Sequence, residues 1–219
     1  MSELIKAKEW YVKQRINKTF TSLKKAGFMA YYAKDSEEAI EKILSLVPED
    51  ALVGLGGSVT LREMKIPQLL MKRGNQVADH WKAREKDASP EEVLEIRRKH
   101  INSDVFITSI NAITETGILV NIDGGGQRVA ATIFGPKHVI VVIGINKIVR
   151  DLEEALWRAR NVAAPINAKR LNKKTPCVET GKCEDCDSPE RNCNVTTIMH
   201  RKPSATNITV ILVGEKLGY

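Results

Sequence analysis

Short runs of branched apolar residues recur along the chain, and they constrain the fold more than any other sequence feature. Each run is rich in valine and isoleucine, has the length of a strand, and is bounded by turn residues. Between the runs lie segments with apolar residues at helical spacing, such as 3–26 and 36–46. Strands that alternate with helices predict an α/β fold with a mainly parallel sheet flanked by helices. The predicted strands are residues 28–33, 51–55, 104–109, 118–122, 129–134, 138–143 and 208–213.

Four of these predicted strands are crowded between residues 104 and 143. The gaps between them are too short for the helical crossover that joins parallel neighbours, so some should pair antiparallel or form a small separate sheet. The whole chain, 1–219, is expected to form one domain. It would begin with a helix within 1–27 and carry a polar, cysteine-bearing C-terminal excursion, 167–204, packed on or beside the core.

Two further helices have recognisable boundaries. Thr60 and Glu63 have the spacing of a capping box, which predicts a helix that starts near Thr60. A second helix is predicted over 151–164 and is expected to end there because Pro165 follows.

The charge and hydropathy of the chain exclude several classes of protein. The formal net charge is +7, with much of the excess in residues 1–25 and 97–100. Aromatic residues are scarce and do not interleave with these basic residues, so we expect no nucleic-acid binding, although a positive field favours small anions. No apolar run reaches the roughly 18–20 residues of a membrane helix, and the N-terminus shows no apolar signal core. We therefore expect a cytoplasmic protein without membrane contact.

A glycine loop follows the apolar run 51–55 directly. It contains Gly56, Gly57 and Ser58, and the helix predicted near Thr60 comes next. Glycine lets backbone amides approach a ligand closely, and a helix N-terminus favours anions. Ligands of open α/β sheets bind at the carboxyl ends of strands, so the loop predicts a phosphate or carboxylate site. The alternative is an ordinary tight turn, because the loop lacks the Walker A lysine and the third glycine of a dinucleotide fingerprint.

Asn111 and Glu115 lie in a turn that interrupts two apolar runs. A partly buried glutamate can have a raised pKa and act as an acid, base or nucleophile, which makes Glu115 the candidate catalytic residue. The alternative is a hairpin turn with a solvated carboxylate. Asp79, His80 and Trp81 are weaker candidates for a cleft.

Two more polar pairs lie at strand ends. Asp123 and Arg128 flank a glycine turn, where they could form an ion pair or Arg128 could clamp a carboxylate. Asn146 and Lys147 follow the run 138–143, where Lys147 could bind an anion or be simply solvated.

All four cysteines fall within 17 positions, as Cys177-x5-Cys183-x2-Cys186-x6-Cys193. In a reducing cytosol, clustered cysteines indicate a metal more than a disulfide. Four thiolates would complete a zinc site or an iron–sulfur site, although the spacing matches neither a ferredoxin nor a zinc ribbon. Free thiols and redox-active thiols are the alternatives.

Several motifs occur in order along the chain and resemble the LUD domain, DUF162, of bacterial lactate utilization proteins. The resemblance spans roughly residues 10–215. Its motifs are the Gly56-Gly57-Ser58 loop, Ile113-Thr114-Glu115-Thr116-Gly117, Val120-Asn121-Ile122-Asp123-Gly124, Phe134-Gly135-Pro136-Lys137 and Val141-Val142-Ile143-Gly144-Ile145-Asn146-Lys147.

The resemblance implies a NagB/RpiA/CoA-transferase-like core. In such proteins a glycine loop holds the phosphate or acyl part of the substrate, and CoA transferases use a glutamate as nucleophile in a Glu-Asn-Gly-like turn. Glu115-Thr116-Gly117 resembles that turn, but its middle residue differs.

The resemblance also implies a role in lactate utilization, where LUD subunits work beside iron–sulfur proteins that take electrons from the oxidation of L-lactate to pyruvate. The chain lacks the ferredoxin-type cysteine run of the B subunit and is more similar to a C-type or stand-alone member.

Three functions follow from these observations. The first is a lactate-utilization-type protein that binds a small organic acid and takes part in its oxidation with iron–sulfur redox partners. The second is an acyl-transferring or sugar-phosphate-isomerising enzyme that uses Glu115 on an acyl or phosphate ligand. The third is a non-catalytic, metal- or thiol-bearing interaction protein. Monomer and homodimer are both compatible with the sequence.

Overall fold

The computed structural model describes residues 3–85 and 87–219. Residues 1 and 2 of the predicted N-terminal helix lie outside the described residues. Within the described part, the strands are β1 (Met29–Ala33), β2 (Leu52–Leu55), β3 (Gln76–Ala78), β4 (Val105–Thr108), β5 (Ala112–Thr114), β6 (Leu119–Asp123), β7 (His138–Gly144), β8 (Ile148–Val149), β9 (Val195–Met199) and β10 (Asn207–Val213). The α-helices are α1 (Glu3–Lys25), α2 (Ser36–Leu46), α3 (Val59–Glu63), α4 (Ile66–Lys72), α5 (His80–Glu85), α6 (Pro90–Lys99), α7 (Gln127–Ile133), α8 (Leu152–Arg158), α9 (Ala164–Arg170) and α10 (Pro176–Thr180).

A six-stranded sheet forms the centre of the protein, in the order β1-β10-β7-β4-β2-β3. Every neighbouring pair in it is parallel, which confirms the predicted α/β fold with a parallel sheet. A second sheet has the order β8-β5-β6-β9 and pairs antiparallel at β5–β6 and β6–β9. Two strands of this sheet, β5 and β6, come from the crowded segment, whose spacing predicted either antiparallel pairing or a small separate sheet.

The central strands are buried on both faces because helices cover both sides of the sheet. Ile140 and Val142 of β7 pack with residues of α2, α3 and α4 in one core. Val139, Val141 and Ile143 alternate with them and pack with residues of α1 and α7 in the other core. This two-sided burial explains why these strands are uninterrupted apolar runs rather than alternating ones.

The predicted strand 129–134 is wrong, since this segment lies in helix α7 and the turn after it. Asp123 determines the start of the helix: its carboxylate accepts hydrogen bonds from the backbone amides of Gly125 and Gly126, both at 3.0 Å. A short apolar run does not distinguish a strand from a buried helix, and the two alanines at 130 and 131 favour a helix.

Two helix boundaries also differ from the predictions. The cap of α3 is Ser58, whose side chain accepts a hydrogen bond from the Leu61 amide, so the Thr60–Glu63 spacing is not a capping box. The helix that begins at Leu152 does not end before Pro165. It passes through a π-helical turn, Ala159–Ala163, into α9, where Pro165 lies in the first turn and its missing N–H is tolerated.

The carboxyl ends of β2, β4 and β7 lie side by side because these strands are parallel, with β4 between the other two. Polar residues that follow each of these strands are thereby brought to one edge of the sheet. No helix within 3–85 or 87–219 has both the length and the apolar character required to cross a membrane.

Candidate anion-binding site

A cavity of about 400 Å³ opens at this edge of the sheet. The segments that follow three neighbouring strands line it: Ser58 and Thr60 after β2, Ser109 after β4, and Lys147 after β7. The volume lies within the range of small-molecule sites, roughly 300–1,000 Å³. The location is the one at which open α/β sheets bind ligands.

Lys147 is the most deeply buried charged group of the cavity, with 3% of its surface exposed. It ends a 3-10 turn between β7 and β8, and its Nζ donates hydrogen bonds of 2.9 Å to Thr60 Oγ1 and to Ser109 Oγ. Burial lowers the pKa of Lys147 to about 7, and the cations of Arg158 and Arg128 add to the effect. A bound anion would offset this desolvation and stabilise the ammonium form.

Arg128 lies on α7 and is held in place by several acceptors. Its guanidinium donates to Asn121 Oδ1 at 2.6 Å, to the backbone carbonyl of Ser109 at 3.2 Å and to the carbonyl of Ile122, and it lies 3.5 Å from the Asp123 carboxylate. Arg128 also lines the cavity, so these bonds fix a cation in the wall. Burial lowers the pKa of Arg128.

The cavity wall is strongly positive. Among the described residues that line it, seven are lysines or arginines and two are acids, Asp123 and Glu190. The seven cations are Arg84, Arg97, Arg128, Lys147, Arg170, Lys173 and Arg191. Such an excess of one sign in a concave site raises the local concentration of anions and favours an anionic ligand.

Several polar atoms in the wall have no hydrogen-bond partner within the described part of the chain. A buried polar atom left unpaired costs about 1–3 kcal/mol, so a cluster of them indicates where a ligand or ordered water completes the site. Five of the lining residues have such an atom: His80 Nδ1, Arg97 Nε, Gln127 Oε1, Arg191 Nε and Asn192 Nδ2.

Trp81 and Tyr219 both line the cavity. The guanidinium carbon of Arg170 lies 4.4 Å from the centre of the Trp81 ring, and Arg170 Nε donates to the Tyr219 hydroxyl at 3.0 Å. The Tyr219 hydroxyl in turn donates to Asn167 Oδ1 at 2.6 Å. Gly57 is required beside them, because a Cβ there would lie 2.9 Å from the Trp81 ring nitrogen.

His80 lines the cavity as a neutral group. Burial lowers its pKa to about 3, and the nearby His100 and Arg97 add to the effect. Its ring is therefore uncharged near neutrality and can offer a ligand one hydrogen-bond donor and one acceptor.

Most of the predicted ligand-binding residues meet at this cavity, and two do not. Those that line it are Gly57, Ser58, Thr60, Asn111, Asp123, Arg128 and Lys147. Gly56 instead packs on Thr108 and Phe106, and the Asn146 side chain binds the backbone of Leu217 and Gly218. Neither Gly56 nor Asn146 lines the cavity.

Glu115 lies outside this cavity, at the end of β5. Its carboxylate accepts hydrogen bonds from Arg15 Nε at 2.7 Å and from Lys18 Nζ at 2.8 Å, both on α1. Burial raises the pKa of Glu115, but the bonds from Lys18 and Arg15 outweigh it and leave the pKa below its ordinary value. This arrangement favours an ion pair that fastens α1, and a catalytic role for Glu115 stays a prediction.

We expect Glu115→Gln to weaken the fold and leave ligand binding in the cavity unchanged. A carboxylate with a depressed pKa contributes stability above its unfolded pKa, and that contribution is lost as the pH falls. The variant should lose about 1 kcal/mol of unfolding free energy at neutral pH, since Lys18 is largely exposed and its pair is screened. Urea denaturation should show the difference shrinking below pH 4.5, the ordinary glutamate value.

Glu95→Gln is the matched control for this loss, because the pair of Glu95 with Arg98 is exposed on both sides. If Glu115 is instead catalytic, Glu115→Gln should be as stable as the wild type in urea denaturation and should lose enzymatic activity.

The four cysteines line a second, smaller cavity and form no disulfide. Arg191 and Asn192, from the segment that carries the cysteines, line both cavities, as does Ala164 of α9.

The sequence pattern did not indicate several important residues of the wall. Ser109 ends a buried strand and Arg97 lies in a basic run that resembles a solvated helix face, so neither has a local signal. Asn167 and Arg170 on α9, and Tyr219, reach the cavity only through the tertiary fold. Asp79-His80-Trp81 was a weak candidate, and two of its members, His80 and Trp81, line the cavity.

The chain is an α/β protein with a basic cavity at the carboxyl edge of a parallel sheet, where proteins with open α/β sheets bind ligands. The family model of the LUD domain matches residues 16–213, and the chain belongs to the LUD domain family. Its fold is similar to the crystal structure of a DUF162 family protein from Deinococcus radiodurans, with 12% sequence identity and a TM-score of 0.52, covering 92% of this chain and 98% of that one. No curated protein matches the chain.

Proposed function

We propose that the protein binds a small organic acid by its carboxylate in the 400 Å³ cavity and takes part in oxidation of that acid, as in lactate utilization. The observation that carries the proposal is the position of Lys147, a buried amine at the carboxyl edge of the sheet. Its partners Thr60 and Ser109 are hydroxyl groups, which donate as well as accept hydrogen bonds and can also reach a carboxylate.

Three features support an organic acid as ligand. The positive wall attracts an anion, and Arg128 supplies a pre-positioned guanidinium of the kind that carboxylates prefer. The neutral ring of His80 can bond a hydroxyl or a carbonyl oxygen of the same ligand. Membership of the LUD domain family is consistent with a 2-hydroxy acid or 2-oxo acid, and with a redox protein as partner.

A phosphate ester or an acyl thioester is a second candidate ligand. The cavity is larger than a three-carbon acid requires, and Arg84 and Arg97 extend the positive wall beyond Lys147. Such a ligand would place its phosphate or acyl group at the glycine loop, and Glu115 would take no part.

Titration calorimetry with L-lactate, pyruvate, lactamide and glycerol 3-phosphate tests the proposal. We expect lactate or pyruvate to bind and lactamide, which lacks the carboxylate, to give no heat. Binding of glycerol 3-phosphate alone would transfer the proposal to the second candidate. Absence of binding by all the anions would refute an anion site.

Ligand affinity should depend on pH through Lys147. Its pKa of about 7 means that the free protein carries the ammonium form below neutrality and loses it as the pH rises. We therefore expect lactate to bind more weakly at pH 8.5 than at pH 6, while His80, with its pKa of about 3, stays neutral throughout. Calorimetry in buffers of different ionisation enthalpy should also show proton uptake on binding above pH 7.

A further inference from the structure

The four cysteines lie in different parts of the C-terminal segment but line one cavity. Cys177 lies on α10, Cys183 and Cys186 lie in the loop after it, and Cys193 lies just before β9. All four are half-buried, unpaired thiols, and all four line the same small cavity. Four thiols that line one void form a donor set suited to soft metal centres.

The backbone of the 183–186 turn is suited to metal-bound thiolates. In the Cys183-Glu184-Asp185-Cys186 turn, the amide of Asp185 donates to Cys183 Sγ at 3.4 Å. Asp185 has φ +46°, a left-handed conformation that costs a non-glycine residue about 1–2 kcal/mol. Amide hydrogen bonds to sulfur tune iron–sulfur centres.

Arginines offset the negative charge that four thiolates would bring. Arg160 and Arg191 line the cysteine cavity. Arg191 also donates to the backbone carbonyl of Cys186, which ties the guanidinium to the loop. The pocket is therefore suited to an anionic thiolate centre.

Four thiols around one void can ligate either a tetrahedral zinc ion, with sulfurs about 2.3 Å from the metal, or the larger body of an iron–sulfur cluster. The two arginines of the cavity and the amide bond to Cys183 Sγ favour the cluster, whose sulfurs accept such hydrogen bonds.

We propose that Cys177, Cys183, Cys186 and Cys193 ligate an iron–sulfur cluster that forms one wall of the anion cavity. Ala164, Arg191 and Asn192 line both cavities, and Asn194 Nδ2 donates to the carbonyl of Gly124 in the anion cavity at 3.0 Å. The cluster would thus hold the 191–194 segment against the site. It requires iron and sulfide, and it does not depend on the identity of the organic acid.

The test is anaerobic purification, followed by incubation of the full chain with ferrous iron and sulfide and removal of the excess. We expect iron and acid-labile sulfide in equal amounts, broad visible absorption, and an electron paramagnetic resonance signal after reduction with dithionite. Stoichiometric zinc in the isolated protein without iron uptake, or the absence of any bound metal after reconstitution, would overturn the proposal.

Single Cys→Ser variants identify the ligands. Each of the four should lose most of the iron and the visible absorption, whereas Asp187→Asn, in the same loop but outside the cavity lining, should keep both. Circular dichroism shows whether each variant is folded. If a variant does not fold, the iron content of the wild-type protein still tests the proposal. If lactate changes the electron paramagnetic resonance signal, the cluster and the anion cavity share a wall. If the iron content is normal but lactate leaves the signal unchanged, the result counts against the organic-acid site and not against the cluster.

Discussion

Lys147→Met is expected to weaken binding of the organic acid by about tenfold to a hundredfold, as a lost charge-assisted hydrogen bond of about 1.5–3 kcal/mol implies. Methionine has a similar length and fills the buried space without the ammonium group. Because the folded protein desolvates Lys147, the variant should be at least as stable as the wild type near pH 7. Titration calorimetry and thermal unfolding of the same preparation measure the two effects.

The combination of weaker binding and unchanged or higher stability separates a ligand role from a structural one. Lys169→Met is the matched control, since it removes the same charge from an exposed position on α9 outside the cavity lining. The pH dependence of binding should also disappear in Lys147→Met. Equal affinities of Lys147→Met and the wild type would remove Lys147 from the site.

Arg128→Ala is expected to give the largest loss of stability, about 3–5 kcal/mol, because it leaves buried acceptors without their donor. Asn121 is 4% exposed and Asp123 is 6% exposed, and the substitution removes the guanidinium from both side chains. The backbone carbonyls of Ser109 and Ile122 lose the same hydrogen-bond donor. A loss of this size should lower the Tm by about 6–20 °C in a chain of this length. Calorimetric unfolding measures it.

Arg128→Lys should recover only part of the loss, because an ammonium group cannot reproduce the guanidinium fork. Arg150→Ala removes an exposed arginine that pairs with Glu154 on the surface, and it should change stability by less than about 1 kcal/mol. An Arg128→Ala variant as stable as Arg150→Ala would show that the acceptors around Arg128 are satisfied by water.

The anion site was partly visible in the sequence because its parts follow strand ends. Thr60 and Lys147 come a few residues after apolar runs, and parallel strands bring such positions to one edge. Ser109 and Arg97 have no comparable signal, since their role depends on which strands are neighbours and on how α6 packs. Neighbouring order in a sheet is a long-range property that local spacing does not contain.

For Glu115, the sequence pattern indicated a site residue that the structure places outside the cavity. Its turn resembles a catalytic turn in sequence, but Arg15 and Lys18 lie about a hundred residues earlier and meet it only because α1 packs beside the second sheet. A carboxylate's role depends on the charges around it, and these are contributed by a distant segment.

The sequence by itself determined the α/β class, the parallel central sheet and the family, because apolar runs and turn residues are local signals of strands and their order. Only the tertiary structure decided that segment 129–134 is helical, that Lys147 is buried against Thr60 and Ser109, and that four cysteines face one void beside the anion cavity. Burial and contacts between distant residues set helix caps, pKa values and donor sets, and they exist only once the chain has folded.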